Sequence, residues 1–78
     1  SIARLDKLLK QSPEDDAAYE ARGTARAKLG RLQEAAQDYS KAIQLLPTAS
    51  LYRLRANIYE KMGRKDLAAK DRKEAERI

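Results

Sequence analysis

Apolar residues recur along the chain at intervals of three and four, the spacing that places them on one face of an α-helix. In the first segment this spacing joins Ile2, Leu5, Leu8 and Leu9. Glycine, proline and short polar stretches interrupt the pattern and mark the ends of helices. The pattern therefore predicts five helices separated by short turns. Their predicted ranges are 2–10, 16–29, 32–46, 49–62 and 65–77.

The turn residues predict how these helices begin and end. Ser12 is the expected N-cap of the second helix, with Pro13 at its start, where a missing N–H does no harm. Thr48 is the expected N-cap of the fourth helix. Gly30 and Gly63 are expected in the left-handed conformation that commonly closes a helix. Helices joined by turns this short must lie antiparallel and in contact.

The composition favours an all-helical chain and excludes several kinds of chemistry. The 78 residues include 14 alanines and 10 leucines but no valine, so residues that favour helices dominate and strand formers are scarce. Cysteine and histidine are absent, which removes disulfides, thiolate nucleophiles, the most common general base and the most common metal ligand. We therefore expect a small domain that is not an enzyme and that binds no metal and no cofactor.

Shifting the sequence by 33 residues aligns the second and third predicted helices with the fourth and fifth. The matched positions carry small or aromatic residues: Tyr19 with Tyr52, Gly23 with Ala56, Gly30 with Gly63, Ala35 with Ala68, and Ala42 with Ala75. Stacked helical hairpins need small residues where helices cross and large residues in the gaps beside them. The chain is therefore predicted to contain two copies of one hairpin, preceded by a single helix.

Both copies resemble the tetratricopeptide repeat. The first copy matches at Tyr19, Gly23, Gly30, Ala35, Tyr39, Ala42 and Pro47. The second copy matches at Tyr52, Ala56, Tyr59, Gly63, Ala68 and Ala75. The second copy departs from the family at Arg72, where an aromatic residue is usual, and the first copy has Arg26 where the second has Tyr59.

The resemblance implies an all-α, right-handed α-solenoid of antiparallel helical hairpins, with five helices and about two and a half tetratricopeptide repeats. Residues 1–13 would be the second helix of a partial preceding repeat, 14–48 the first complete repeat and 49–78 the second repeat. Because the chain opens on the second helix of a hairpin, we expect it to be a piece of a longer array. The alternative is that the first helix caps a small intact protein.

In this family the first helices of the hairpins line a concave groove that holds a ligand. The resemblance therefore implies a non-catalytic protein–protein interaction module or scaffold that binds a peptide or a partner helix. The groove residues it implies are Glu20, Ala21, Thr24, Lys28, Arg53, Leu54, Asn57 and Lys61. A purely architectural segment of a longer repeat array, with an empty groove, is the main alternative.

Arg53 and Asn57 stand one turn apart and together offer three hydrogen-bond donors to a carboxylate. This pair resembles part of the clamp by which some tetratricopeptide repeats hold the acidic C-terminal tails of heat-shock chaperones. Chaperone-tail binding is nevertheless the less favoured alternative, because Glu20 and Thr24 occupy the corresponding places of the first copy and Leu54 stands where a further asparagine is needed.

Charge and exposed apolar surface suggest which partners to expect. Of the net charge of +5, residues 49–78 contribute +4, with nine positive and five negative side chains, which favours an acidic protein partner. Nucleic acid is not expected, because the positive residues alternate with acids and no aromatic platform lies among them. A membrane is not expected either, since no apolar run is long enough to span one.

Two further expectations concern the first helix and the compartment. Ile2, Leu5 and Leu9 would form an exposed apolar strip on a helix whose partner is missing, which predicts a weak homodimer through the N-terminal helix. The absence of cysteine and of a hydrophobic leader favours a cytoplasmic location, although an excised piece would have lost any leader.

Overall fold

The computed structural model describes all 78 residues and contains five helices and no strand. The helices are α1 (Ile2–Gln11), α2 (Asp16–Lys28), α3 (Leu32–Leu45), α4 (Ala49–Lys61) and α5 (Lys65–Arg77). Each helix packs against the next one along the chain, which gives a flat, open stack of 34 × 26 × 12 Å. The predicted all-α solenoid is confirmed, and every predicted helix end lies within one residue of the observed end.

The turn between α1 and α2 differs from the prediction. Asp15, not Ser12, is the N-cap of α2, and its carboxylate accepts a hydrogen bond from the Ala18 N–H at 3.1 Å. Ser12 instead closes α1, because its backbone N–H donates to the Leu8 carbonyl. The expectation that Ser12 caps α2 is therefore wrong: Pro13 lies in a turn between the helices, and α2 begins only after that turn.

The other turns form as predicted. The Thr48 side chain accepts a hydrogen bond from the Leu51 N–H at 3.1 Å and caps α4. Gly30 and Gly63 both have a φ of 79°, a conformation that side chains with a Cβ adopt only with strain. The two hairpin turns therefore have the same backbone geometry in both copies.

Small residues allow the helices to approach closely. Four alanines at the crossings have no exposed surface: Ala35, Ala42, Ala56 and Ala68. Tyr39 and Leu51, each 2% exposed, are the largest side chains that fill the spaces beside them. The approach is closest at Gly23, where an added Cβ would lie 3.0 Å from Cε1 of Tyr39. The core therefore follows the alternation of small and large residues that the repeat predicts.

The N-terminal helix packs its apolar residues against α2. Leu9 is buried, and Ile2 and Leu5 are half-buried. The expectation that these three residues form an exposed strip is therefore wrong, because the long side chains of α1 reach the surface of α2. Leu8, at 40%, is the only large apolar side chain of α1 that is exposed. None of the five helices combines the length and the hydropathy needed to cross a membrane.

Candidate functional site

The eight residues implied for the groove occupy four equivalent positions on α2 and α4. The 33-residue repeat pairs Glu20 with Arg53, Ala21 with Leu54, Thr24 with Asn57, and Lys28 with Lys61. In each helix these positions follow each other at helical spacing and form one stripe along its surface. Five of the eight are exposed and three are half-buried. We call this surface, with its two equivalent halves, the α2/α4 stripe.

The α2/α4 stripe lies on a different side of α2 and α4 from two arginines that contact the neighbouring helices. Arg22 hydrogen-bonds to Asp6 in α1 and to Asp38 in α3, so its side chain lies between those two helices. Thr24 comes two residues later, which is about 200° around an α-helix. The equivalent Arg55 lies between α3 and α5 in the same way. The stripe is therefore on the opposite side of α2 and α4 from these arginines.

Two residues of the stripe already have partners within the chain. The Thr24 hydroxyl lies 2.8 Å from the Tyr39 hydroxyl, and Oδ1 of Asn57 accepts a hydrogen bond from Nη2 of Arg72 at 3.1 Å. Tyr39 and Arg72 occupy the same position of the repeat. The same contact between the two helices of a hairpin therefore occurs in both copies, but different side chains make it. Arg72 replaces the usual aromatic residue and keeps that contact.

Arg72 also ties the end of α4 to α5. Its two Nη atoms donate to the Glu60 carboxylate at 3.2 and 3.1 Å, and these hydrogen bonds lower the pKa of Glu60. Arg53 makes no hydrogen bond to Asn57, whose carbonyl oxygen is taken by Arg72. The structure therefore does not bring Arg53 and Asn57 together as a preformed carboxylate-binding pair.

The remaining charges of the stripe are free. Lys28, Arg53 and Lys61 take part in no ion pair, whereas six of the other arginines do. Glu20 is the only acid of the stripe, so three positive charges against one negative give it a net charge of +2. A surface with this balance attracts acidic groups without first having to break an ion pair.

Two ion pairs with buried carboxylates lie on the other side of α2 and α4 and were not predicted. Arg22 donates from Nε and Nη2 to Asp38 at 3.0 and 2.8 Å, and Arg55 donates from the same atoms to Asp71 at 2.8 Å each. Both carboxylates are buried, and their hydrogen bonds raise the pKa of Arg22 and of Arg55. The signal was present in the sequence, because both pairs align at the 33-residue shift.

Each of these arginines also binds the helix that precedes its own hairpin. Nη1 of Arg22 donates to Asp6 at 2.8 Å, and Nη1 of Arg55 donates to Oγ of Ser40 at 2.9 Å. One guanidinium therefore joins three helices in each copy. These contacts position the first helices, and with them both halves of the α2/α4 stripe.

A groove, which we call the α3/α5 groove, runs between α3 and α5, and residues of α4 form its floor. It consists of two depressions of about 540 and 240 Å³ that meet at Tyr59. The α3 side includes Gln33, Gln37, Ser40, Lys41 and Gln44. The α5 side is formed by Leu67, Lys70, Asp71 and Glu74. None of the eight residues of the α2/α4 stripe lines this groove or either of the other two surface depressions.

Comparison with known proteins agrees with this architecture. The family model described as tetratricopeptide repeat matches residues 16–49. Tetratricopeptide repeat protein 13 from Homo sapiens is 37% identical over 59 residues. A crystal structure of MamA superposes on 95% of the chain with a TM-score of 0.92 and 27% identity. A second MamA structure (MamA AMB-1, P212121) superposes on 99% with a TM-score of 0.91 and 29% identity.

An open stack of helical hairpins defines a helical-repeat protein, and the matches support a role as a scaffold for protein contacts. More narrowly, the chain belongs to the tetratricopeptide repeat family. Its members are typically non-catalytic interaction modules. The chain spans 7% of the human relative and 44% and 43% of the two MamA chains, so it corresponds to a part of each.

Proposed function

We propose that the chain binds an acidic peptide or partner helix on the α2/α4 stripe, in a concave groove formed by the first helices of its repeats. The repeats are then residues 14–48 and 49–78, and residues 1–13 are the second helix of a preceding one. The observation that carries the proposal is the free positive charge of the stripe, which stands beside a single acid.

The side chains of the stripe suit a partner that is both acidic and apolar. Lys28, Arg53 and Lys61 would meet its carboxylates, and Ala21 and Leu54 would meet its apolar side chains. Charges at the rim of an interface mainly raise the association rate and select the partner. Since two short helices offer less than about 1,000 Å² of interface, we expect a modest affinity.

An architectural role is the second candidate. Thr24 and Asn57 already have hydrogen-bond partners inside the chain, which is what a groove without a ligand would need. In that case contacts at the ends of the stack would matter, as they do within a longer array. A carboxylate clamp for chaperone tails has less support, because Glu20 would repel the bound carboxylate.

Two further proposals rest on single observations. A weak homodimer through α1 now depends on Leu8, the exposed apolar residue of that helix. A cytoplasmic location depends on the absence of cysteine. Sedimentation of the chain over a range of concentrations tests the first, and Leu8→Glu should then abolish any concentration dependence.

Fluorescence anisotropy tests binding on the stripe. The probe is a labelled amphipathic peptide with glutamate and leucine at helical spacing, and its control carries glutamine in place of glutamate. We expect the acidic peptide to bind and Arg53→Glu to weaken binding about tenfold, because reversing the charge turns an attraction into a repulsion.

The matched control is Lys7→Glu. Lys7 is exposed on α1, has no ion pair, and its replacement changes the net charge by the same amount. We expect it to change the affinity less than about twofold. Equal losses in the two variants would mean that the peptide responds only to net charge, and equal binding of the glutamine peptide would contradict an acidic partner. Circular dichroism verifies that both variants are folded.

A further inference from the structure

The α3/α5 groove is open because of one difference between the two copies. Over α2, Arg26 occupies the position that Tyr59 holds over α4. Arg26 donates to Asp38 at 2.9 Å and lies 3.7 Å from Glu34, so its guanidinium covers the neighbouring surface of α3. No surface depression is lined by a residue of α2. In α4 the equivalent position is Tyr59, and the space between α3 and α5 beside it is open.

The floor of the groove is aromatic, and the arginine beneath it is already paired. The ring centroids of Tyr59 and Tyr52 lie 5.5 and 5.6 Å from Cζ of Arg55. That guanidinium donates to both carboxylate oxygens of Asp71 and to Oγ of Ser40. A ligand on this floor therefore contacts tyrosine rings that pack against a paired cation, and it meets no unpaired charge there.

One wall of the groove offers uncommitted amides. Gln33, Gln37 and Gln44 are exposed, and their side chains make no hydrogen bond within the chain. A carboxamide provides both donors and an acceptor. Along α3 the three are separated by about 6 and 10 Å, close to two and three residues of an extended chain. This wall therefore suits the N–H and C=O groups of an extended peptide.

The free charge of the groove is positive. Lys41 on the α3 side and Lys70 on the α5 side have no ion pair. The two carboxylates of the groove are occupied, Asp71 by Arg55 and Glu74 by Arg77. An acidic side chain of a ligand would therefore find a cation on either wall and no competing free acid.

We propose that the α3/α5 groove is a second docking surface, for an extended peptide segment in which apolar and acidic residues alternate. Alternate side chains of an extended chain point to opposite faces. One face would then lie on Tyr52 and Tyr59 while the other reaches Lys41 and Lys70. This surface uses no residue of the α2/α4 stripe and is independent of the function proposed for it.

Nuclear magnetic resonance can separate the two surfaces. The chain contains only five side-chain carboxamides: Gln11, Gln33, Gln37, Gln44 and Asn57. A ¹⁵N-labelled chain is titrated with a peptide of alternating glutamate and valine. We expect the side-chain NH₂ signals of Gln33, Gln37 and Gln44 to shift and that of Gln11 to stay. The Asn57 signal reports separately on the α2/α4 stripe.

Two variants make the experiment decisive. Tyr59→Arg should fill the groove as Arg26 does over α2 and abolish the glutamine shifts. Lys41→Glu, at an exposed position, should weaken binding about fivefold without affecting the fold. Lys7→Glu is the matched control, because Lys7 is also exposed on a helix and without an ion pair, but it lines no surface depression. It should leave the affinity unchanged.

Several results would overturn the proposal. The glutamine signals could stay in place at saturating peptide, or only Asn57 could respond, which would leave the α2/α4 stripe as the sole binding surface. Equal binding of a peptide with glutamine in place of glutamate would refute the part played by Lys41 and Lys70. If Tyr59→Arg does not fold, comparison of Lys41→Glu with Lys7→Glu decides, and equal affinities would reject the groove.

Discussion

The hairpins α2–α3 and α4–α5 each contain an arginine that donates two hydrogen bonds to one aspartate, which we call the arginine–aspartate fork. They differ in the side chains around this fork. In the first, the Asp38 carboxylate accepts hydrogen bonds from Arg22 and Arg26. In the second, Asp71 accepts them from Arg55 alone. The first hairpin is thus closed by a charge network, whereas the second keeps the fork and leaves the space beside it open. The shared contact maintains the stack, and the variable one decides which surface is available to a ligand.

A second difference shows that neighbouring positions change together. In the first hairpin Gly23 faces the ring of Tyr39, with no room for a Cβ. In the second, Arg72 stands in place of the tyrosine, and Ala56, which is completely buried, stands in place of the glycine. The two positions that are in contact in the first hairpin therefore both differ in the second. The repeat is better described by its contacts than by its single residues.

The largest expected loss of stability comes from removing the aspartate of each arginine–aspartate fork. Asp38→Ala leaves two partly buried arginines without their partner and should lower the free energy of unfolding by about 3–5 kcal/mol. Asp71→Ala leaves one arginine and should cost about 2 kcal/mol. Urea unfolding followed by circular dichroism measures both differences.

Glu34→Ala is the control for this comparison. Glu34 is exposed and lies 3.7 Å from Arg26, so its loss should change the stability by less than about 0.5 kcal/mol. If Asp38→Ala cost no more than Asp71→Ala, the additional hydrogen bond from Arg26 would have no energetic weight, and the proposed difference between a closed and an open hairpin would fail.

The helices could be predicted closely because their ends are determined locally. Thr48 caps a helix whose first turn follows directly, and Gly30 and Gly63 adopt a conformation that other residues avoid. The start of α2 was mispredicted because Ser12 and Asp15 are both good caps and only the path of the turn through Pro13 selects between them. Where two local signals compete, the three-dimensional path decides.

The candidate site was harder to predict than the fold. Helical periodicity placed the residues of the α2/α4 stripe on one surface, but it could not indicate that Thr24 and Asn57 bond to the following helix. The arginine–aspartate forks were missed for a related reason. Arg22 and Asp38 are 16 residues apart in a chain with 37% charged residues, so neither stands out as buried until the helices are packed.

A smaller effect is expected at Gly23, where the first hairpin has no room for the Cβ that Ala56 carries in the second. Gly23→Ala gains about 1 kcal/mol of helix propensity, but its Cβ would lie 3.0 Å from the Tyr39 ring and 3.2 Å from Cβ of Asp38. Overpacking of this kind costs about 1–3 kcal/mol, so we expect a net loss near 1 kcal/mol in urea unfolding.

A double-mutant cycle with Tyr39→Leu identifies the cause of that loss. Leucine removes Cε1, the ring atom nearest the new methyl group. The Gly23→Ala substitution should then become neutral or stabilising, as the presence of Ala56 in the second hairpin suggests. An unchanged cost in the Tyr39→Leu background would place the strain at Cβ of Asp38 instead of the ring.

The smallest effect concerns pH, and only the first hairpin should show it, because Arg72 replaces Tyr39 in the second. Burial raises the pKa of Tyr39, and the hydrogen bond with Thr24 opposes this only in part. A tyrosine whose pKa is higher in the folded chain contributes stability that is fully present below about pH 10, the pKa of the unfolded residue, and is lost as the pH rises towards the folded value.

Tyr39→Phe should cost about 1 kcal/mol at neutral pH through the lost hydrogen bond. Above pH 10 this cost should shrink, because only the parent chain pays the penalty of keeping a proton. Urea unfolding of both chains at neutral and alkaline pH measures the difference, in which titration of the other tyrosines and the lysines cancels. A cost that stayed constant or grew with pH would mean that the Tyr39 hydroxyl reaches solvent despite its 2% exposure, and that the first hairpin is less tightly closed than its charge network suggests.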